Sequence, residues 1–118
     1  ETVLVVEEDE IARKLALSTL HSHRYQVLEA ASAVEALLVA QQHSGPIHLT
    51  VSHLSLSEIS GRELAKRLVL QHPKMKALFV SGFSDDTIAS HRVNKKYFLQ
   101  QPYRQHDLAE KVRELLDA

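Results

Sequence analysis

Four polar clusters in this chain closely follow short apolar runs. Glu7-Glu8-Asp9-Glu10 comes after Val3-Leu4-Val5-Val6, and His53 comes after Leu49-Thr50-Val51. Ser81 comes after Ala77-Leu78-Phe79-Val80, and Gln101-Pro102 after Tyr97-Phe98-Leu99. An imidazole beside carboxylates is a donor set suited to zinc, so His53 with Glu7 and Glu8 forms one candidate transition-metal centre. The plainer reading is that His53 fills a cleft between the acids and bonds to Glu7 or Glu8. The other histidines fall at expected helix ends or surfaces, apart from His48 at the start of a strand, and only His21-x-His23 has a spacing that would recruit adventitious nickel or zinc.

The apolar runs belong to elements that would bring these residues together. Thr2-Val3-Leu4-Val5-Val6 reads as a strand buried on both faces. The acidic run then opens a helix, where negative charge suits the dipole. Ile11, Leu15 and Ser18, with Ala12, Ala16 and Leu20, would form its inward side, and His21-Ser22-His23-Arg24 its end. Tyr25–Leu28 is a second strand. Ser32-x-x-Glu35 and Ser60-x-x-Glu63 are capping boxes that start the second and third helices. Val34, Leu37 and Leu38 are expected to form the apolar face of the second, and Leu64, Ala65 and Leu68 that of the third. Strands are expected at Leu49–Val51, Ala77–Val80 and Tyr97–Leu99, a short polar helix from Ser84-Asp85, and a last helix marked by Leu108, Val112, Leu115 and Leu116. Five strands alternating with five helices predict an α/β fold, a doubly wound five-stranded parallel sheet covered on both faces. In such folds the carboxyl edge of the sheet gathers ligands and chemistry, and all four polar clusters fall there.

Composition sets the outer bounds. The 118 residues are 25% charged and 44% hydrophobic and contain no Cys, which fits one globular domain and excludes a disulfide framework or a Cys-ligated zinc site. No apolar run is long enough to span a membrane and no signal peptide is evident, so a cytoplasmic domain is expected. The net charge of −1 argues against direct nucleic-acid binding. It also hides an asymmetry: residues 1–60 carry three Lys/Arg against eight Asp/Glu, and residues 61–118 carry eleven against seven.

From Thr2 to Leu116 the chain resembles the receiver domain of bacterial two-component signalling, which has a flavodoxin-like fold. Val5-Val6-Glu7-Glu8-Asp9 is similar to its acidic-pair motif, Ser60-Gly61 to the turn beyond its active site, Val80-Ser81-Gly82 to its hydroxyl motif, and Gln101-Pro102-Tyr103 to its lysine-proline-aromatic motif. Glu1–Val6 and Phe79–Phe83 particularly resemble receivers fused to hybrid sensor kinases. The resemblance implies one receiver unit over residues 1–118, a pocket of Glu7, Glu8, His53, Ser81 and Gln101, and a switch aromatic at Phe98. It also implies a dimerisation or docking face that would include Arg92, Lys95, Lys96 and Arg104.

The departures from the family fall at the centre of that pocket. An active receiver needs an aspartate nucleophile, an Mg²⁺ held by that aspartate and the acidic pair, a hydroxyl and a lysine; here His53 stands at the aspartate position and Gln101 at the lysine position. An imidazole cannot form an acyl phosphate, and a neutral amide cannot meet the phosphoryl charge. Mg²⁺ binding is expected to be weak or lost, because one hard oxygen ligand is missing. The loop Leu54-Ser55-Leu56-Ser57-Glu58 also lacks the family's usual proline and glycine. The resulting expectation is a degenerate receiver that is not an enzyme. It would work in the phosphorelay as a phosphorylation-independent interaction module, with a kinase or output domain, or a second copy, as partner. Two alternatives stand beside it. One is a receiver-like domain that binds a small anionic effector such as a cyclic dinucleotide; the other is residual phosphotransfer or metal chemistry at His53. The sequence leaves the Gln101-Pro102 peptide open between cis and trans.

Overall fold

The computed structural model describes residues 1–82 and 94–118. Five parallel strands form one sheet: β1 (Thr2–Val6), β2 (Gln26–Ala30), β3 (Leu49–His53), β4 (Lys76–Ser81) and β5 (Phe98–Gln100), in the spatial order β2-β1-β3-β4-β5. Among the described residues four α-helices cover it: α1 (Glu10–Ser22), α2 (Ala33–Gln42), α3 (Gly61–Gln71) and α4 (Gln105–Asp117). The helix expected from Ser84-Asp85, together with His91 and Arg92, lies outside the described residues. Tyr97 was expected to open the last strand but closes a 3₁₀ turn, Lys95–Tyr97, that Asn94 caps by accepting from the Lys96 N–H.

β1 explains the two-layer covering. All five of its residues are buried and its side chains alternate. Val3 and Val5 join Ala16 and Leu20 of α1 and Leu108, Val112 and Leu115 of α4 in one core. Leu4 and Val6 join Ala33, Ala36 and Ala40 of α2 and Leu64 and Leu68 of α3 in the other. The helix starts follow the expected caps: Asp9 accepts from the Ala12 N–H (2.8 Å), Ser32 from Glu35 and Ser60 from Glu63 (both 3.1 Å).

The apolar faces of α1 and α2 differ from expectation. α1 meets the core through Ala16, Thr19 and Leu20, whereas Ile11 and Leu15 stand 73% and 55% exposed. The apolar residues of α1 occupy more of its circumference than the sheet covers, and the small Ala16 and Thr19 let the helix settle on that face. Val34 and Leu38 of α2 are likewise exposed while Leu37 packs inward.

β3 and α3 approach unusually closely. Gly61 is buried at the first position of α3, and a Cβ there would overlap the carbonyl oxygen of His53 and lie 3.1 Å from Ser52 Oγ. Its N–H donates to Leu54 O (2.8 Å), and a bridge between Ser55 and Ser60 closes the intervening loop. Gly61→Ala should therefore force β3 and α3 apart and cost roughly 1–3 kcal/mol, as overpacking does. Urea unfolding would measure this as a fall in midpoint at unchanged slope.

Candidate functional site

The strand order reverses between β1 and β3, and the residues after these strands form a cleft at the carboxyl edge of the sheet, the switch point where α/β folds bind ligands. The backbone ladder aims each of them. Glu7 N–H donates to Ala30 O (3.1 Å), Leu54 N–H to Val80 O (2.8 Å) and Gln101 N–H to Ser81 O (2.7 Å), which extends the sheet by one bond beyond β1, β3 and β5. Ser81 is fully buried, and Phe98 is buried opposite Phe79 in the β4–β5 register. The Gln101-Pro102 peptide is cis.

His53 does not bond to either glutamate. Its Nε2 lies 3.2 Å from Gln101 Oε1, and its Nδ1 lies 3.0 Å from Ser55 O and 3.3 Å from Ser55 N. An amide oxygen only accepts, so Nε2 carries the proton in this pair. In a neutral ring Nδ1 then accepts from the Ser55 N–H, and in an imidazolium Nδ1–H donates to the Ser55 carbonyl. Ser55 thus offers a partner in either state. The glutamates are engaged elsewhere: Glu8 Oε2 accepts from the Ser57 N–H (3.1 Å) and Glu7 Oε2 from the Asp9 N–H (3.1 Å). The expected bond from His53 to an acid is replaced because backbone amides of the two loops reach the carboxylates and the imidazole turns across β4 toward Gln101.

This donor set does not fit Mg²⁺. The ion takes hard oxygens in a strict octahedron, whereas the central side chain here is an imidazole and both acids already accept from backbone N–H groups. Among the described residues no group of three His, Cys, Asp or Glu is arranged to hold a metal.

Tyr103 closes one wall of the cleft. It packs with Glu7, Val5, Ala12 and Ala16 around a small internal void, and its phenol is held above the ordinary range, first by burial and then by the negative charge of Glu7. The expected basic face is exposed at Lys95, Lys96 and Arg104. Lys96 Nζ lies 5.6 Å from the Tyr97 ring centroid, and Arg104 Nε lies 3.4 Å from Asp107. Sequence reasoning missed Ser55 and Ser57, which act through backbone atoms that leave no compositional signal. It named Tyr103 only as the aromatic of the motif after Pro102 and left it out of the pocket, where it packs beside Glu7.

Residues 3–113 match the response regulator receiver domain family, and the chain belongs to it. It is 36% identical over 118 residues to the sensor kinase CckA of Brucella abortus (strain 2308), covering 98% of this chain and 12% of that protein. It is 25% identical to the response regulator receiver protein CpdR of the same strain, covering 98% of this chain and 97% of that one. The crystal structure of the receiver domain from the hybrid histidine kinase CckA superposes with a TM-score of 0.82 at 31% identity, over 98% of this chain and 99% of that one. The chain is therefore a receiver of two-component signalling, related to those of hybrid kinases, and it spans only a small part of the kinase relative's length. No helix among the described residues is long and apolar enough to cross a membrane.

Because the raised folded-state pKa of Tyr103 means that the folded chain holds this proton more tightly, its contribution to stability is complete below pH 10, the ordinary tyrosine value, and is lost as pH rises through the folded value. Ultraviolet titration should find one of the three tyrosines ionising late. Glu7→Gln should lower that midpoint only in part, because burial is the larger cause.

Proposed function

We propose that this receiver takes no phosphoryl group on an aspartate and regulates by protein contact instead, in the cytoplasm, within or beside a larger signalling protein. The observation that carries this reading is the bond between His53 and Gln101, at the two positions where the family's aspartate and lysine stand. Phosphoryl transfer in a receiver relies on positioning and on charge, with metal and lysine neutralising the equatorial oxygens. A neutral amide at Gln101 supplies no such charge, and an imidazole at His53 supplies no carboxylate to attack. Glu7 and Glu8, turned to backbone amides, hold the loops in place rather than a cation. Ser81 and Phe98 keep the two-state pair of the family, but a switch moves only when something binds its two states differently. A protein partner, such as a kinase or output domain, would supply that difference.

The test restores the lost chemistry. The purified chain, incubated with acetyl phosphate and Mg²⁺ and examined by intact mass, should gain no phosphoryl adduct. His53→Asp with Gln101→Lys should gain one. His53→Asp alone, still without the lysine charge, should label about 100-fold more slowly, the scale of losing one preorganised stabilising donor. An adduct on the wild-type chain would overturn the reading, and an acid-labile one at His53 would establish phosphohistidine chemistry instead.

A further inference from the structure

The amino edge of the sheet, opposite the cleft, is knitted by its own row of bonds. Gln26 N–H donates to Glu1 O (3.1 Å), His48 N–H to Thr2 O (2.9 Å) and Lys76 N–H to His48 O (3.0 Å). Residues 21–25, 43–48 and 71–76, which lead from a helix into β2, β3 and β4, therefore lie along one edge. They hold Arg24, Lys74, Lys76 and five of the chain's eight histidines, and no Asp or Glu. Most of these groups are used within the chain. His23 and His72, at the ends of α1 and α3, donate to the carbonyls of Thr19 (2.9 Å) and Ala40 (3.0 Å), and His48 Nδ1 accepts from the Thr2 N–H (2.9 Å). Lys76 Nζ donates to Leu115 O (2.7 Å) and Ala118 O (2.6 Å). Of the acids that α4 brings to the groove beside His23 and Tyr25, Glu110 pairs with His106 (3.0 Å) and Asp117 with Arg113 (2.8 Å), which leaves Glu114.

Arg24 and Lys74 are the exceptions. Both are exposed, and neither side chain has a partner among the described residues. Arg24 also sits in an unfavourable backbone conformation. α1 ends with Arg24 N–H donating to His21 O (2.9 Å) and Tyr25 N–H to Leu20 O (3.2 Å), which makes Arg24 the residue after the C-cap of a Schellman turn, at φ 67°. Glycine is usual there, because a Cβ crowds the left-handed conformation. A strained position occupied by a cation that nothing inside the chain engages points to a use outside it.

We infer that the amino edge binds an acidic segment of a protein partner, with Arg24 and Lys74 as the anchors for its carboxylates. The two residues precede β2 and β4, which stand three strand spacings, or about 14 Å, apart. About four residues of extended chain span that distance. Two free cations are too few for nucleic acid, whose backbone engages several phosphates at once. Leu70, 84% exposed in the last turn of α3, offers an apolar contact that a polypeptide can use. The chain's own acidic turn is not that segment, because Glu8, Asp9 and Glu10 are already bonded to Ser57, Ala12 and Lys14. Such docking rests on the reading that the domain works by protein contact, which phosphodonor labelling decides separately.

The test uses two synthetic peptides of about eight residues, one with glutamates four apart around a leucine and one with lysines in their place. In ¹H–¹⁵N spectra of the full chain the glutamate peptide should move the resonances of Arg24, Leu70 and Lys74 and leave those of His53 and Gln101 in place. The lysine peptide should bind at least about tenfold more weakly at low salt. Arg24→Gly separates binding from folding. It should raise the melting temperature by a few degrees as the strain is relieved, yet weaken the glutamate peptide by about threefold or more. Arg24→Lys, which keeps both charge and strain, should hold the melting temperature and keep the affinity within about twofold. The proposal is overturned if neither peptide binds, if both bind equally, if Arg24→Gly leaves the affinity unchanged or lowers the melting temperature, or if the shifts gather at the cleft. A single-stranded oligonucleotide or anionic vesicles binding more tightly than the glutamate peptide would overturn it in favour of those polyanions. A concentration-dependent oligomer abolished by Arg24→Gly would overturn it in favour of self-association.

Discussion

The hydrogen bond from His53 to Gln101 spans the carboxyl edge of the sheet, from the end of β3 across β4 to the loop after β5. Much of the cleft is arranged around it. Ser55 is placed to serve the other ring nitrogen, and the loop that carries Ser55 is closed by its bridge to Ser60 and by Gly61 against the His53 carbonyl. The same loop brings the Ser57 amide to Glu8, which uses the acid that a metal would otherwise claim. Each contact is modest alone, of the order of 1 kcal/mol for a neutral hydrogen bond. Together they give every polar group named here a partner within the chain.

That self-sufficiency distinguishes this cleft from one built for charge. A site in which two carboxylates and a lysine face one another holds unbalanced charge that a cation or phosphoryl group can answer. Here the centre pairs an imidazole with a neutral amide, and backbone N–H groups answer the acids. Among the described residues the exposed large apolar side chains lie outside the cleft, on α1 at Ile11 and Leu15, on α2 at Val34 and Leu38 and on α3 at Val69 and Leu70.

Much of this was legible in the residues. The continuous apolar run of β1 and the serine caps of α2 and α3 follow from local chemistry, and alternation of such elements leaves little choice but a parallel sheet. The positions of Glu7, His53, Ser81 and Gln101 at one edge follow in turn, because each ends a strand or comes next after one. The phase of α1 was not legible: its apolar residues wrap more than one face, and the choice of Ala16 and Leu20 over Ile11 and Leu15 depends on the space left by β1 and α4. The partners of His53 were hidden for a similar reason. Side-chain types suggested an acid, but the path of the 54–60 loop delivered backbone groups that no residue identity announces.

The central claim is that His53 pairs with the amide of Gln101 in a cleft that does not take Mg²⁺. Long-range ¹⁵N spectra of histidine-labelled chain, recorded as Mg²⁺ is added, test it most directly. The account predicts a protonated Nε2 at His53 whose signal stays in place throughout the titration and changes when Gln101→Ala removes its acceptor. A saturable shift of the His53 ring with Mg²⁺, or a ring indifferent to the loss of Gln101, would contradict it.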